Sequence, residues 1–322
     1  MLSIGIATLN DESGDLKECL KSILFVDQGI PFEVIVVDDG STDGIGGFIR
    51  NHYPQIKLLV NKENMGLAFS INRAFEASSG GYFFRLDADT VVKPGALKKL
   101  VEFLEAHPHV GVVGPKLLSA EGKFQQSAFM KWPTPWVVFN EFNFVVNKLW
   151  NRDHPYFRDD PYYSPQPRRV GHITGAAMMM RRTAIDNAGI MDPQIALFRD
   201  ETDWLYRITQ SGWEVWYLPE AEVIHKGGHT AGKKYVFAKD RNLRSFWRFN
   251  RKHFPGFVNQ FKFWLAVMMG SLISFTLGII LFIPCLPIKR YREISLRIIG
   301  NFYFVLVWNL KNFKKILSLN QM

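Results

Sequence analysis

Tyr82-Phe83-Phe84-Arg85-Leu86-Asp87-Ala88-Asp89-Thr90 is the stretch on which the fold turns. A run of strand composition ends abruptly in two carboxylates one residue apart. Side chains alternate along a strand, so Asp87 and Asp89 can face the same side. An isolated Asp-x-Asp triplet carries little weight; this one closes a strand that should end in a cleft.

Working outward, the first hundred residues switch repeatedly between two periodicities. Ser3–Ala7 reads as a short apolar strand. Over Asp15–Val26 the residues Leu16, Cys19, Leu20, Ile23 and Leu24 recur at helical spacing. Glu33–Val37 is a β-branched strand running into Asp38-Asp39-Gly40-Ser41. A third strand at Ile56–Val60, a helix at Leu67–Ser78, the strand before Asp87 and a helix at Pro94–Ala106, opened by its proline, complete the series. Such alternation predicts an α/β fold, a mostly parallel sheet flanked by helices on both faces. Ligands of these sheets bind beyond the carboxyl ends of the strands. Thr8, Asn10, Asp38, Asp39, Asp87 and Asp89 all fall at or just past such ends.

Further on, residues 115–170 are rich in Pro, Trp and Tyr and read as an irregular insertion, a candidate lid. Order resumes with an expected strand at Val170–Met180, a helix from about Glu201 to Gln210, and strand-like runs at Trp213–Leu218 and Ala221–His225.

The net charge of +9 over 322 residues is unevenly placed. Residues 233–322 carry 16 Lys/Arg against Asp240 and Glu293, whereas residues 1–232 carry 23 against 28 acids. The basic tail is interleaved with apolar runs, which a nucleic-acid arm in water would not tolerate. An anionic membrane surface is the better partner, and no nucleic acid is expected. Phe263–Ile288 contains no charged residue, long enough to enter or cross a bilayer core of about 20 residues. Lys/Arg clusters flank it on both sides, which disfavours a single crossing. A re-entrant helical hairpin bent at Pro284 and Pro287 keeps both clusters on the cytosolic leaflet, with Ile298–Leu310 in the interface. The N-terminus is a strand without a signal-peptide pattern. Cys19 and Cys285 form no disulfide framework or metal pair. The expected organisation is a catalytic domain over 1–235 and a membrane-associated helical tail over 236–322, at the cytoplasmic face of the cell membrane.

The acidic motifs suggest sugar transfer. Cleaving a glycosyl-phosphate bond releases a nucleoside diphosphate, whose growing charge a divalent metal can meet as a Lewis acid. Mg²⁺ and Mn²⁺ prefer hard oxygen ligands. Asp89 is the candidate ligand, with Asp87 aimed at the ribose or the metal's water shell. A second acidic motif, Asp200-Glu201-Thr202-Asp203, offers a base for an acceptor hydroxyl. Asn64 and Gly66 shape a turn that lets backbone approach a nucleotide. His225, ahead of a glycine-rich loop, could ligate the metal or contact the diphosphate, and Lys226 and His229 are lesser candidates for phosphate contact.

With these motifs the chain resembles the family 2 glycosyltransferases of the GT-A fold, leaning towards their bacterial rhamnosyltransferase-like branch. The matching stretches are Ile4–Asn10, Val36–Gly44, Asn61–Gly66, Leu86–Thr90, Ile173–Arg182, Phe198–Trp204 and Val223–Gly228. The resemblance implies that Thr8 and Asp39 contact the nucleotide base, that Asp38 supports their loop, and that Asp87 and Asp89 hold a uridine- or thymidine-diphosphate with its metal. It places Gly175 and Ala176 beside the donor sugar and implies inversion at the anomeric carbon, with a single base. The family usually has Glu-Asp where this chain has Asp200-Glu201; register favours Glu201 as the base, residue type Asp200. The expected function is transfer of one sugar to a hydroxyl of a lipid-linked or other glycan precursor in cell-envelope synthesis. A processive polysaccharide synthase should carry Gln-x-x-Arg-Trp after the base. Here Gln166-Pro167-Arg168-Arg169-Val170 lacks the Trp and precedes it. A non-catalytic nucleotide-sugar-binding scaffold is the other alternative, and it has no need of Glu201. A nicotinamide oxidoreductase should show Gly-x-Gly-x-x-Gly after the first strand, where Thr8-Leu9-Asn10-Asp11-Glu12 stands instead.

Overall fold

Strand β4 (Tyr82–Asp87) lies near the middle of a ten-stranded sheet. The structure is a computed structural model, and it describes residues 1–11, 13–125, 127–129, 132–143, 166–195, 199–227, 235–285 and 289–318. β1 (Leu2–Thr8), β2 (Phe32–Asp38) and β3 (Lys57–Val60) extend the sheet to one side in the order β3-β2-β1-β4, all parallel. On the other side come β11 (Ala177–Arg181), β6 (Val110–Leu118), β12 (Glu214–His225) and β5 (Thr90–Val92), with β7 (Phe124–Gln125) paired to β6, while β8 (Ala128–Phe129) belongs to a separate two-stranded sheet. β11 is antiparallel to both β4 and β6, whereas β12 is parallel to β6. A mostly parallel sheet with flanking helices is the expected α/β architecture.

Strand alternation sorts the core into two layers. Ile4, Ile6, Val34, Val36, Phe84 and Leu86 join Leu16, Leu20, Ile49 and Leu97 from helices α1 (Asp15–Leu24), α2 (Ile45–His52) and α4 (Ala96–Ala106) in one buried cluster. The intervening residues meet helix α3 (Leu67–Glu76), where Phe75 packs edge-on against Phe83 at 5.3 Å between ring centroids. Burial on both faces is why these strands read as continuous apolar runs.

Several expectations need correction. Val170–Met180 is not one strand. It is divided into β9 (Arg168–Val170), β10 (His172–Ile173) and β11, because the chain bends at Gly171 and turns at Gly175-Ala176 before β11. The runs at Trp213–Leu218 and Ala221–His225 form the single strand β12, whose register shifts between Leu218 and Glu222, around Pro219. β6 reaches Leu118, so irregular structure starts later than residue 115. Pro94 stands before Gly95, the residue that precedes α4, and is not part of that helix. Helices α2 and α6 (Arg182–Ala188), too short to show a clear period, were not anticipated. Residues 144–165, the bulk of the candidate lid, lie outside the described residues.

By packing, the chain divides into two compact units, Met1–Met130 with Asp160–Ser245, and Lys131–Asp159 with Phe246–Met322. The second contains α5 (Pro135–Phe142), α9 (Phe257–Cys285), α10 (Lys289–Lys311) and α11 (Phe313–Leu317). The unit boundary falls within α8 (Tyr235–His253). α9 packs against α5 and α10. Gly270 lets the helices approach closely, since a Cβ there would stand 2.6 Å from the Phe139 carbonyl oxygen. Phe263, Val267, Ser271 and Ser274 are buried, while Val258, Phe261, Leu265, Met269, Leu272 and Ile279 are exposed. Their three- and four-residue spacing makes an apolar stripe along one face. Phe257–Ile280 is long and apolar enough to cross a membrane, with a mean hydropathy of 2.0.

Candidate active site

Register brings the strand-end residues into line. Thr8 pairs with Asp38 across β1 and β2, and Ala7 with Asp87 across β1 and β4. Thr8, Asp38 and Asp39 are buried. The Asp39 amide donates to the Thr8 carbonyl at 2.8 Å, and Asp38 Oδ1 accepts the Ser41 amide at 2.9 Å. Asp39 also organises the next loop. Its Oδ1 accepts from Asn61 Nδ2 (2.6 Å) and the Met65 amide (2.9 Å), and its Oδ2 from the Gly66 amide (2.9 Å). Asn64 Oδ1 accepts the same Gly66 amide at 3.1 Å. Gly66 has φ of 92°, a conformation that L side chains disfavour. Asn10, at φ 56°, donates its amide to Ser41 Oγ and accepts the Thr42 amide, tying the β1–α1 and β2–α2 loops together.

A second cluster forms where β4, β5 and β12 end. His225 pairs with Thr90 across β12 and β5, which carries it beside Asp89. The carboxylates of Asp87 and Asp89 and the His225 imidazole bring ligand atoms within 4.8 Å of one another. His225 Nε2 stands 3.5 Å from Asp89 Oδ1, and its Nδ1 lies 3.1 Å from Gln125 Oε1. If Nδ1 donates there, Nε2 keeps its lone pair towards the acids, the tautomer a metal ligand needs. Two hard oxygens and one imidazole suit Mn²⁺ or Mg²⁺. Behind them, the Asp87 carbonyl accepts from Thr90 Oγ1 at 2.7 Å, while the buried, free Cys19 thiol is pushed up to about 12 by burial. Cys19 is therefore an unreactive packing thiol beneath the site.

The acidic helix reaches this cluster through an arginine. α7 (Asp200–Gln210) opens with Asp200, Glu201 and Asp203, acids that suit a helix N-terminus. Asp203 is committed to Arg207 at 2.9 Å, and Arg207 also donates to the carbonyls of Ala188, Gly189 and Ile190, which fixes the helix. Arg85, only 2% exposed, places Nη2 3.7 Å from Asp87 Oδ1 and 3.6 Å from Asp200 Oδ2. Burial, then the charge of Asp200, pushes the Glu201 carboxyl up to about 8. Desolvation by surrounding protein, with Asp89 and Asp200 adding to it against Arg85 and His225, raises Asp87 to about 6. Gly175 and Ala176 complete the site's edge: the Ala176 carbonyl accepts the Asp87 amide at 2.9 Å.

Sequence reasoning thus singled out residues that the fold brings together in two neighbouring groups, one at Thr8, Asn10, Asp38, Asp39, Asn64 and Gly66, the other at Asp87, Asp89, Gly175, Ala176, Asp200, Glu201 and His225. Lys226 is a correction. Its ammonium is held by Asp15 at 2.7 Å and Glu18 at 2.5 Å, which locks the end of β12 to α1 and removes it from phosphate contact. His229 lies outside the described residues. Arg85 and Gln125 were missed. The signal for Arg85 was present, a charge in an otherwise apolar strand, two residues before Asp87 and so on its face.

Among solved structures, the chain is similar to the mannosyltransferase PcManGT from Pyrobaculum calidifontis in complex with GDP-Man and Mn²⁺. The TM-score is 0.55 at 16% identity, covering 96% of this chain and 86% of that one. It is also similar to GalNAc-T7 with UDP, GalNAc and Mn²⁺, at a TM-score of 0.55 and 15% identity, over 81% and 50% of the two chains. The fold is that of GT-A glycosyltransferases. The sequence model for "Glycosyl transferase family 2" matches residues 3–189, more than half of the chain, so the chain belongs to glycosyltransferase family 2. Within the family its similarity runs to the rhamnosyltransferase-like branch. It is 26% identical to the N-acetylglucosaminyl-diphospho-decaprenol L-rhamnosyltransferase of Mycobacterium tuberculosis over 244 residues, 68% of this chain and 78% of that protein.

Proposed function

We propose that the protein transfers a single sugar, with inversion, from a UDP- or dTDP-sugar to a hydroxyl of a lipid-linked glycan precursor at the cytoplasmic face of the membrane. The observation that carries this reading is the joining of two acid clusters, Asp87–Asp89–His225 and Asp200–Glu201, through one buried guanidinium. The nucleotide would lie over the ends of β1 and β2, with its base near Thr8 and the Asp39-ordered loop. Asp89, His225 and Asp87 would hold a divalent ion. Such an ion supplies charge stabilisation to the departing nucleoside diphosphate.

Glu201 is the base. Asp200 is buried and already engaged by Arg85, whereas Glu201 remains partly exposed and keeps an affinity for protons near working pH. A base so tuned is well matched to removing a hydroxyl proton as the sugar carbon is attacked. Gly175 and Ala176 border the donor sugar. Residues 1–235 serve as the catalytic domain. Residues 236–322 bind an anionic leaflet, through the exposed stripe of α9 and the flanking basic residues. The comparison with the decaprenol-linked rhamnosyltransferase supports a lipid-linked acceptor, which membrane attachment would concentrate.

The test is a panel of UDP- and dTDP-sugars with lipid-linked acceptors and Mn²⁺ or Mg²⁺, following diphosphate release and product anomer. Metal-dependent turnover with inversion supports the reading. Donor binding without turnover across the panel would make the chain a scaffold.

A further inference from the structure

We infer that Arg85 is a positioning residue that sets Glu201 for proton abstraction while holding Asp87, so that the donor and acceptor halves of the site are fixed by one side chain. This inference rests on the catalytic reading above.

A guanidinium buried in the middle of a strand is costly unless paired. The pairing here is divided: one nitrogen, Nη2, stands between Asp87 Oδ1 and Asp200 Oδ2, carboxylates 113 positions apart in the chain. Nε and Nη1 are buried without a hydrogen-bond partner among the described residues. The side chain therefore gains little from this position except its two ion pairs. A guanidinium is more weakly hydrated than an ammonium, so a lysine would be the costlier cation to bury here.

The turn above confirms that the position is enforced by packing. A Cβ on Gly175 would stand 2.5 Å from Arg85 Cζ and 2.6 Å from Nη2. The glycine thus leaves the space that the guanidinium occupies beside the acids, and any larger residue at 175 would displace it. Among the described residues, the charged groups acting on Glu201 are Asp200 from its own helix and Arg85 from β4, the first favouring the protonated carboxyl and the second the ionised one. Arg85 moderates the affinity that Asp200 and burial create.

The experiment compares Arg85→Met, Arg85→Lys, Gly175→Ala and the Arg85→Met/Gly175→Ala pair, with folding checked by circular dichroism and thermal melts. The activity readout is pH-dependent diphosphate release from the best donor in the panel. An independent readout is infrared titration of the carboxyl that disappears in Glu201→Gln, recorded without metal or donor. Arg85→Met should move the rising limb of kcat and the Glu201 titration to higher pH, with kcat at pH 7 falling about 100-fold, the usual consequence of a small misplacement. Gly175→Ala should reproduce both shifts. The pair should be no worse than Arg85→Met alone, because the shortened side chain makes room for the methyl. Arg85→Lys should recover part of the rate and not the full profile. A folded Arg85→Met with an unmoved limb and unmoved Glu201 titration overturns the inference. If Arg85→Met does not fold, Arg85→Lys decides: a wild-type rate and profile in that variant overturns it equally. A wild-type protein inactive on every donor removes the catalytic reading instead, and the infrared titration then still reports on Arg85.

Discussion

The carboxylates at the two ends of the site live in opposite conditions. Asp39 accepts three hydrogen bonds, two of them from backbone amides, and so behaves as part of the scaffold. Asp87, Asp200 and Glu201 crowd around a single arginine, and Asp200 Oδ2 has no hydrogen-bond partner among the described residues. Desolvation raises the proton affinity of Asp87 and Glu201, with neighbouring carboxylates adding to it and Arg85 opposing it. Acids that shape loops are satisfied by the protein. The acids proposed to do chemistry are those left needing a ligand, a metal or a proton.

That contrast can be broken at several points. Asp89→Ala should have the largest effect, abolishing metal-dependent turnover in the diphosphate-release assay. Residual activity that still responds to Mn²⁺ would remove Asp89 from the ion's ligands. Glu201→Gln should lower kcat by about 10²- to 10⁴-fold while donor affinity, read by calorimetry, stays near wild type. In the unmutated enzyme the rate should climb with pH and level off above about 8, since the base acts only when ionised.

The same carboxyl makes a prediction for stability. Its proton affinity is higher folded than unfolded, so its ionised form destabilises the fold, and the stabilisation present at low pH is lost as pH rises towards about 8. Glu201→Gln should therefore grow more stable relative to wild type between pH 5 and 9 in denaturant melts; parallel curves would refute the raised affinity. Asp39→Asn, on the scaffold side, should cost about 1 kcal/mol, because an amide NH2 must replace one of two accepting oxygens while Asn64 still accepts the Gly66 amide, and should raise donor KM more than it lowers kcat. A reversed split would make Asp39 part of the chemistry. Lys226→Ala should have the smallest effect, about 1 kcal/mol, because Glu18 is exposed and the buried Asp15 keeps the hydrogen bond it accepts from Ser13 Oγ.

The contrast also explains what could be read in advance. β1 to β4 were visible because both faces are covered, which forces uninterrupted apolar runs, and the strand-end acids followed from them. The antiparallel half was harder. Val170–Met180 looked like one strand because nothing local shows a turn at Gly175, where the chain passes close over the guanidinium of Arg85, ninety residues earlier. Lys226 looked available for phosphate because its partners Asp15 and Glu18 lie more than two hundred residues away. Register and residue type ranked Asp200 and Glu201 in opposite orders, and neither signal could show that Arg85 engages Asp200. Pairings across long separations are where a linear reading fails.

The reversed insertion of β11 between β4 and β6 bears on synthesis of the chain. Until residue 181 has left the ribosome, β4 has no neighbour on that side and its Phe83-Phe84 flank is an open edge, inviting mispairing with other nascent chains. A product truncated before Ala177 would keep four parallel strands and the nucleotide-side loops, yet should be insoluble.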